Sequence, residues 1–517
     1  MQRVTRREFL KVAAATGLGA AGAQAGERLA WAAPPRRGGT LVFATSALPA
    51  SIEPHLEGAD IWQKRKPLVY ENLVWIDYAL QPQPQLAEAW ERKSDTVYVF
   101  KVREGVKFHN GKTLDAEDVK YSYERVMDPK TGSGGRGDLV MIKRIDVLDR
   151  YTLRFVLSGP SAPFLINLGG KYNGVIPKGS APTGRELLQR AVGTGPFSVE
   201  SFQPNQRLVL KRHDQYWQPG VPYLDGITFI AVPDESSIVA GLRTNQIHMA
   251  DFANTLYYFQ VRSVGHLDVI RAPSIRWVVL DLAGDMAPTS HPDVRRAIEL
   301  ALDRQVILQT AGSGLGERLG VLPPAMKGWA LAPSRLPNQA PNPDEARALL
   351  RRALPGGAGS LTIRTIVGFP ELGASLQVIV DQLRAVGLGV RVETVDIGVW
   401  IKDFLARRSP PTMNVWGGFV DPDQAFYRHY HTPPDGMDFR RWNNREADRL
   451  LDEGRVTLDR ASRQKIYAQF QVLMAQDPIS IPLYAPDLVY ALQKTVKGFR
   501  PHPTGFYYGV RYVSLTG

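Results

Sequence analysis

Short apolar segments typical of β-strands alternate with amphipathic segments typical of helices along most of this chain. The first strand signal, at 41–44, follows a pair of glycines and is wholly apolar, as expected of a buried strand. Residues Val97–Val102 are apolar enough on both alternating faces to predict a covered strand. Residues Arg207–Arg212 alternate basic residues with leucines, which also predicts a strand.

Four amphipathic segments carry the residues that begin or end helices. Asp115 caps the first of them and Pro129 ends it. Two more begin with a proline in the first turn, Pro292 and Pro343, where the missing N–H costs nothing. A fourth, with apolar residues three and four positions apart, ends at Gly387. These segments predict helices that are separated by strands.

The second half of the chain continues this alternation. A strand is predicted at 390–395, and a later helix with Ile466 and Phe470 ends at Pro478, before an alternating strand at 479–483. We find no internal repeat of fixed period. The order of the elements predicts an α/β fold built on mixed sheets.

The first 32 residues have the order of an export signal. Arg6 and Arg7 precede an uncharged run at 12–25, and the small residues Ala30 and Ala32 follow it. The arginine pair resembles the twin-arginine signal of bacteria, whose pathway moves folded proteins. We therefore expect this twin-arginine signal peptide to be removed after Ala32 and the rest of the chain to be exported.

Composition narrows the class of protein. The chain has no cysteine, which excludes disulfides, thiolate metal sites and a lipid-modified cysteine, so we expect an exported, soluble periplasmic protein without a lipid anchor. No apolar run beyond the signal reaches the roughly 18 to 20 residues that span a bilayer. The signal holds five basic and two acidic residues, so its removal lowers the net charge from +12 to +9. Because the basic residues are scattered among acidic ones, a solvated surface is favoured over a nucleic-acid partner.

The chain lacks the motifs of common enzymes. It has no GxSxG, HExxH, Walker or dinucleotide-binding motif in the required context. His429 and His431 would share a face on a strand and suit nickel, copper or zinc, but two ligands are too few, so a solvated histidine pair is favoured. We expect a protein that is not an enzyme and that holds no cofactor and no metal. A secreted hydrolase with two carboxylates across a cleft is a less favoured alternative.

Several segments resemble the family-5 extracellular solute-binding proteins, which are the peptide, nickel and oligosaccharide receptors of bacterial ABC importers. They follow one another through the mature chain: GGTLVFA from Gly38, LAEAW ending at Trp90, VYVFKVREGVKFHNGKTLDAEDVKYSYERVMDP from Val97, GTGPF from Gly193, HPDVRRAIELALDR from His291 and WNNREADRLL from Trp442. The resemblance implies a periplasmic receptor that delivers a peptide-like or other organic solute to an ABC importer permease. A ligand-reporting partner of a membrane sensor is an alternative function.

The family fold is a periplasmic binding protein of type II, with two lobes, a hinge and an extra domain. By this resemblance, residues 38–63, 187–285 and 495–517 form lobe I, residues 64–186 form the extra domain, and residues 286–494 form lobe II. The solute would bind in the cleft between the lobes. We expect a monomer whose partners are this solute, the transmembrane subunits of the permease and, during export, the twin-arginine translocase.

One loop of lobe II bears on the ligand. In peptide-binding members a tryptophan begins this loop, and an acidic residue within it binds the ligand ammonium. The matching loop reads Trp416-Gly417-Gly418-Phe419-Val420-Asp421-Pro422, so Gly418 stands where the acidic residue is expected. Losing such an anchor forfeits charge-assisted hydrogen bonds of about 1.5 to 3 kcal/mol each, which argues against a standard peptide held by its amino terminus. Asp421 could replace the anchor, although a structural role beside the proline is favoured.

The resemblance assigns a set of residues to the ligand site. Two tryptophans would line the cleft and stack on sugars, flat solutes or cations, and two glycines would let the backbone approach the ligand. Four further residues would lie near the cleft. The full set is Trp416, Trp400, Gly417, Gly418, Phe419, Asp421, Glu57, Arg276, Trp277 and Tyr484.

Overall fold

Three large β-sheets organise the computed structural model of the chain, which describes residues 36–516 apart from 57–59, 182–185, 189, 357–358 and 435. The predicted signal peptide and Glu57 lie outside the described residues. The strands are β1 Thr40–Thr45, β2 Val74–Ile76, β3 Pro82–Pro84, β4 Ala87–Ser94, β5 Val97–Val102, β6 Ile142–Asp149, β7 Thr152–Leu157, β8 Phe197–Gln203, β9 Arg207–Arg212, β10 Gly226–Ala231, β11 Met249–Asp251, β12 Leu267–Ala272, β13 Trp277–Asp281, β14 Gly316–Arg318, β15 Ser360–Ile366, β16 Gly389–Val395, β17 Thr412–Trp416, β18 Ser480–Pro486, β19 Leu488–Gln493, β20 Val496–Lys497 and β21 Ser514–Leu515. The α-helices are α1 Asp60–Gln63, α2 Ala116–Met127, α3 Phe164–Leu168, α4 Glu235–Arg243, α5 Tyr257–Val261, α6 Pro292–Ala301, α7 Arg304–Thr310, α8 Pro343–Ala353, α9 Pro370–Ala385, α10 Ile397–Leu405, α11 Pro422–Tyr430, α12 Arg445–Val456 and α13 Arg460–Gln476.

The sheet of lobe I has seven strands in the order β12-β19-β11-β1-β10-β9-β8. Its centre is parallel, because β1 pairs with both β10 and β11, and Phe43 lies opposite Phe229. Leu41, Phe43 and Ile227 are fully buried in the core of this lobe. The strands predicted at 41–44 and at Arg207–Arg212 are confirmed as β1 and β9.

The extra domain is built on an antiparallel sheet of four strands in the order β4-β5-β7-β6. Helix α2 contacts this sheet and begins at the predicted cap. The carboxylate of Asp115 accepts the backbone N–H of Asp118, and the carboxylate of Asp118 accepts the backbone N–H of Asp115. Val119 and Tyr123 are buried on the same helix. The covered strand and the capped helix predicted for this region are therefore confirmed.

The chain returns from the extra domain to lobe I through a stretch that only glycine fits. A Cβ atom on Gly193 would lie 2.1 Å from the backbone oxygen of Val69, and one on Gly195 would lie 2.6 Å from that of Leu68. Both distances are too short for a side chain, so the glycines allow two backbone segments to touch. They lie at the point where the sequence predicts a domain boundary.

Lobe II has a mixed sheet of six strands in the order β14-β18-β13-β17-β15-β16. Strands β15 and β16 are parallel, whereas β13 is antiparallel to both β17 and β18. Helices α6 and α8 begin at Pro292 and Pro343 as predicted, with His291 and Asn342 as their caps. The mixed α/β fold expected from the alternating pattern is confirmed.

Two crossings connect lobe I and lobe II, and they lie at different residues from those predicted. The chain leaves β12 of the first sheet and enters β13 of the second through 273–276, and it returns from β18 to β19 through Asp487. This corrects the expected boundaries at 285/286 and 494/495, because β13 belongs to lobe II and β19 to lobe I. Arg271, at the end of β12, makes two hydrogen bonds to Asp487, at 2.9 and 2.5 Å, and so joins the two crossings.

The extra domain contacts lobe II directly. Ile76 and Leu80, from the hairpin β2–β3 and its turn, are buried in the same hydrophobic core as the lobe II strands. The side-chain amide of Gln424, in α11, donates to the side-chain oxygen of Asn167 at 3.0 Å. The backbone N–H of Ala162 donates to the carbonyl of Arg455 at 2.8 Å. Lobe II therefore faces the extra domain as well as lobe I.

Candidate functional site

Trp416 ends β17 close to the first crossing, where it is fixed by hydrogen bonds of the sheet and by its own side chain. Trp277, the first residue after the crossing, is its register partner on β13. The indole N–H of Trp416 donates to the carboxylate of Asp281 at 2.9 Å. Trp416 is only partly buried. The contacts to Trp277 and Asp281 therefore fix the ring while part of it remains accessible.

Asp281 anchors Trp416 because it is the centre of a buried polar network. Its carboxylate accepts two hydrogen bonds from the guanidinium of Arg440, at 3.0 and 2.6 Å. It also accepts from the side chains of Asn414 at 2.6 Å and Ser480 at 2.5 Å. Arg440 is 2 % exposed, and its guanidinium lies 4.9 Å from the ring centroid of Trp416. Such a paired, hydrogen-bonded ion pair holds the tryptophan in one orientation.

Helix α10 supplies the second tryptophan of the site. The ring of Trp400 stacks on that of Phe404, one turn further along, with centroids 5.0 Å apart and planes 21° apart. Both rings also contact Trp416, at 6.3 and 5.6 Å. No residue of α10 is buried, and its outward-facing apolar residues are 42 % to 52 % exposed: Ile397, Val399, Ile401 and Leu405.

Further aromatic rings extend this surface on both sides. Phe419 packs on Trp277 with centroids 6.0 Å apart, and His429 packs on Trp416 at 4.8 Å and on Phe419 at 5.3 Å. Phe439 stacks on Phe404 at 3.8 Å. We call these residues the aromatic wall: Trp277, Trp400, Phe404, Trp416, Phe419, His429 and Phe439. Its partly buried members can stack on a solute and remove it from water.

The loop after Trp416 brings backbone close to the crossing. A Cβ atom on Gly417 would lie 2.6 Å from Cγ of Arg276, so only glycine lets the loop pack against that side chain. Gly418 has a φ of +77°, and a Cβ placed there would meet nothing within 4 Å. The position that carries the acidic anchor in peptide receptors is therefore open space beside the wall.

The carboxylates near the wall are paired with arginines. Asp421 is fully buried and accepts hydrogen bonds from both terminal nitrogens of Arg463, each at 2.6 Å, while it also caps α11. Asp423 is bound in the same bidentate way by Arg455, at 2.9 and 3.0 Å. These contacts favour a structural role for Asp421 over its use as a substitute ammonium anchor.

Cations dominate the electrostatics around His429. Burial lowers the pKa of His429 well below 6.5, and the nearby charges of Arg440, Arg428 and Lys171 lower this pKa further. The imidazole is therefore neutral at physiological pH. Lys171 lies outside lobe II, in the segment between β1 and β8, so the positive charge near His429 comes from two parts of the chain.

His429 and His431 do not form a metal site of the kind that a strand would allow. His429 lies within α11 and His431 follows its last residue, so the premise of a shared strand face is wrong. The ring of His431 instead stacks on Tyr427 at 4.5 Å, with Nε2 3.2 Å from Asp452. Among the described residues, no group of three or more His, Cys, Asp or Glu is arranged to hold a metal ion.

A smaller concavity lies where lobe I, the extra domain and the C-terminal segment meet. Its lining includes Lys66, Tyr70, Asn72, Lys171 and Tyr508. Lys66 donates to the backbone oxygen of Lys171, and burial lowers the pKa of its ammonium group to about 7. Lys171 thus borders this concavity and also contributes to the field at the aromatic wall.

The structure brings many of the predicted site residues together. Trp416, Trp400, Trp277 and Phe419 share the wall, and Arg276 and Gly417 lie against it. Tyr484 is 1 % exposed and lies behind the surface, where its hydroxyl is 3.3 Å from that of Ser375 and burial raises its pKa to about 12. These placements are compatible with a ligand site for the wall residues and with a structural role for Tyr484.

Some residues of the site were missed from the sequence. Phe404 follows Trp400 by four positions, a spacing that puts both rings on one face of a helix and could have revealed it. Asp281 and Arg440 gave no local signal, because they are paired across 159 positions of the chain.

Comparisons with known proteins agree with this architecture. Residues 81–438 match the family described as bacterial extracellular solute-binding proteins, family 5 Middle. The dipeptide-binding protein of Escherichia coli strain K12 is 25 % identical over 501 residues, covering 90 % of this chain and 93 % of that protein. The glutathione-binding protein GsiB of the same strain is 26 % identical over 482 residues, again covering 90 % and 93 %.

Solved structures show the same fold. The periplasmic binding protein DppA of Helicobacter pylori, bound to the peptide STSA, superposes with a TM-score of 0.82 at 26 % identity, covering 93 % of this chain and 99 % of that one. The binding protein AgaA of A. tumefaciens R10, bound to agropinic acid, gives 0.81 at 24 % identity, covering 93 % and 99 %. The expected type II periplasmic-binding fold is confirmed, and the chain belongs to family 5 of the bacterial extracellular solute-binding proteins.

Proposed function

We propose that this protein captures a small organic solute in the cleft beside the aromatic wall and delivers it, chemically unchanged, to an ABC importer permease. The observation that carries the proposal is the wall itself, which stands at the crossing between two lobes in a chain of the family-5 fold. A solute that touches both sides of the cleft favours the closed state by its higher affinity for it, and the permease recognises that closed surface.

The chemistry of the wall favours particular solutes. An ammonium group bound there would need a carboxylate, yet Asp281, Asp421 and Asp423 are each held by an arginine, and Gly418 offers none. Stacking surfaces and backbone groups suit neutral, aromatic or sugar-like solutes and modified peptides better than a peptide held by its free amino terminus. The relatives named for dipeptides and glutathione show that the fold accommodates small peptidic ligands.

Export to the periplasm is a further part of the proposal. Among the described residues, no helix has the length and apolar content that crossing a bilayer requires. The twin-arginine pair lies in the segment outside the described residues. Replacing Arg6 and Arg7 by lysines should leave the precursor in the cytoplasm, because the translocase distinguishes guanidinium from ammonium. Cell fractionation and immunoblotting measure the export of this variant. Unchanged export would assign the protein to the general secretion route instead.

Identification of the solute tests the function directly. Protein purified from the periplasm under mild conditions is analysed by native mass spectrometry, and the solute that it releases is then titrated back by calorimetry. We expect saturable one-to-one binding, compaction in small-angle scattering and an unchanged solute after prolonged incubation. Conversion of the solute to a product at an enzymatic rate would contradict the proposal. Capture of a sensor protein instead of a permease in pull-down experiments would support the alternative of a ligand-reporting partner.

A further inference from the structure

The two cleft tryptophans differ in what their indole N–H groups do. The N–H of Trp416 already donates to Asp281 at 2.9 Å. The Nε1 atom of Trp400 is buried, and it has no acceptor among the described residues. A buried donor without an acceptor is unfavourable, and ligands commonly satisfy such groups in binding sites.

The surroundings of Trp400 restrict the kind of acceptor that can reach it. Its ring is flanked by the rings of Phe404 and Trp416, so the acceptor must be accompanied by flat or apolar carbon. Arg440, Arg428 and Lys171 place positive charge near the adjacent His429, and of these Arg440 is paired with Asp281. Positive charge favours oxygen atoms that carry partial or full negative charge and disfavours an ammonium group.

We propose that the indole N–H of Trp400 donates a hydrogen bond to an acceptor oxygen of the bound solute, which makes Trp400 a specificity-determining residue. The solute class is then one that presents a carbonyl, ether or carboxylate oxygen next to flat or apolar carbon, with no cationic group at the wall. This inference rests on the proposed function. It adds that the wall selects a solute by a hydrogen-bond acceptor and not by a cationic group.

Matched free and blocked peptides test this inference. The probes are Met-Leu, glutathione and the N-acetyl form of each, because acetylation removes the ammonium and adds a carbonyl oxygen. Calorimetry should give an affinity at least about tenfold higher for the acetylated forms. The variant Trp400→Phe keeps the ring and removes the N–H, so it should weaken the acetylated probes by about 3- to 10-fold, as for the loss of one hydrogen bond.

The matched control is Trp62→Phe, which also removes a buried indole N–H without an acceptor, but in lobe I and away from the wall. The affinity of this variant for all four probes should stay as in the unmodified protein. An independent measurement uses protein labelled with ¹⁵N-tryptophan, in which the indole signal of Trp400 is assigned by its loss in Trp400→Phe. This signal should move downfield when N-acetyl-Met-Leu binds. The signal of Trp62, another buried indole without an acceptor but in lobe I, should not move.

Three results would overturn the inference: tighter binding of the free peptides, an unchanged affinity in Trp400→Phe, or a stationary Trp400 signal in the saturated complex. Failure of all four probes to bind would also count against it. None of these results refutes a receptor function, which is judged separately by the solute released from the purified protein. Absence of any released or bindable solute would refute that function.

Discussion

Trp416 and Trp400 belong to the same wall but are held in opposite ways. Trp416 ends a central strand, and a buried ion pair between Asp281 and Arg440 fixes its indole from behind. Trp400 lies on α10, a helix with no buried residue, and its ring contacts those of Phe404 and Trp416. One half of the wall is therefore preorganised by the lobe II core, whereas the other half is attached through its aromatic contacts and one ion pair, from Asp403 of α10 to Arg364 of β15.

This difference has a consequence for binding. A preorganised group loses little freedom when a ligand arrives, which favours affinity. A helix with few buried contacts adjusts at small cost, which favours the acceptance of solutes of different shape. The wall thus combines a fixed surface with an adaptable one, and the following experiments separate the two contributions.

The largest effect is expected from removing the anchor of the fixed half. Asp281→Ala leaves the buried Arg440 without its partner and should lower the free energy of unfolding by about 3 to 5 kcal/mol, measured by urea denaturation. The double variant Asp281→Leu with Arg440→Met removes both charges and should recover much of this loss. A loss below about 1 kcal/mol in the single variant would show that the network does not hold the fixed half.

Low pH should lower the free energy of unfolding through His429, which packs on Trp416 in the fixed half of the wall. Because burial and neighbouring cations lower its pKa well below 6.5, the unfolded chain binds this proton first, and stability falls as the pH drops below 6.5. The fall is at most about 1.4 kcal/mol per pH unit for one group. His429→Phe keeps a ring and should reduce the pH dependence of the unfolding free energy by this amount. His266→Gln, remote from the wall, serves as the control, and equal slopes in both variants would contradict the assignment.

Truncation of the fixed ring should affect binding more than folding. Trp416→Ala should weaken binding of the solute released from the purified protein by about 1 kcal/mol or more, because one aromatic contact is lost. Calorimetry measures this change, and circular dichroism verifies that the variant is folded. Trp90→Ala removes a partly buried ring from the extra domain and should leave the affinity unchanged. Equal affinities for the Trp416 variant and the unmodified protein would remove this residue from the site.

The smallest effect is expected on the outer face of the adaptable half. Ile401→Lys replaces a residue that is 42 % exposed, and it should change the free energy of unfolding by no more than about 0.5 kcal/mol. Solute affinity should also stay constant, since this side chain points away from the rings. A loss above about 1 kcal/mol would mean that the outer face of α10 is covered in solution.

Sequence reasoning succeeded where the signal is local. Helix caps such as Asp115 and the prolines that begin α6 and α8 depend on residues a few positions apart, and the structure contains them all. The crossings differ from the expected boundaries because those boundaries followed the family resemblance, whereas strand pairing decides which sheet β13 joins. The partnership of Asp281 with Arg440 was invisible because the contact joins distant parts of the chain.

The two crossings themselves determine how the wall can move. Ala272 pairs with Leu488 on one side of them and Val278 with Tyr484 on the other, and between these pairs the hydroxyl of Ser274 donates to the backbone oxygen of Pro486 at 2.6 Å. Because strand pairing with Trp277 and the hydrogen bond to Asp281 fix Trp416 to the sheet of lobe II, Trp416 should move together with that lobe when the cleft closes, and not as an independent side chain.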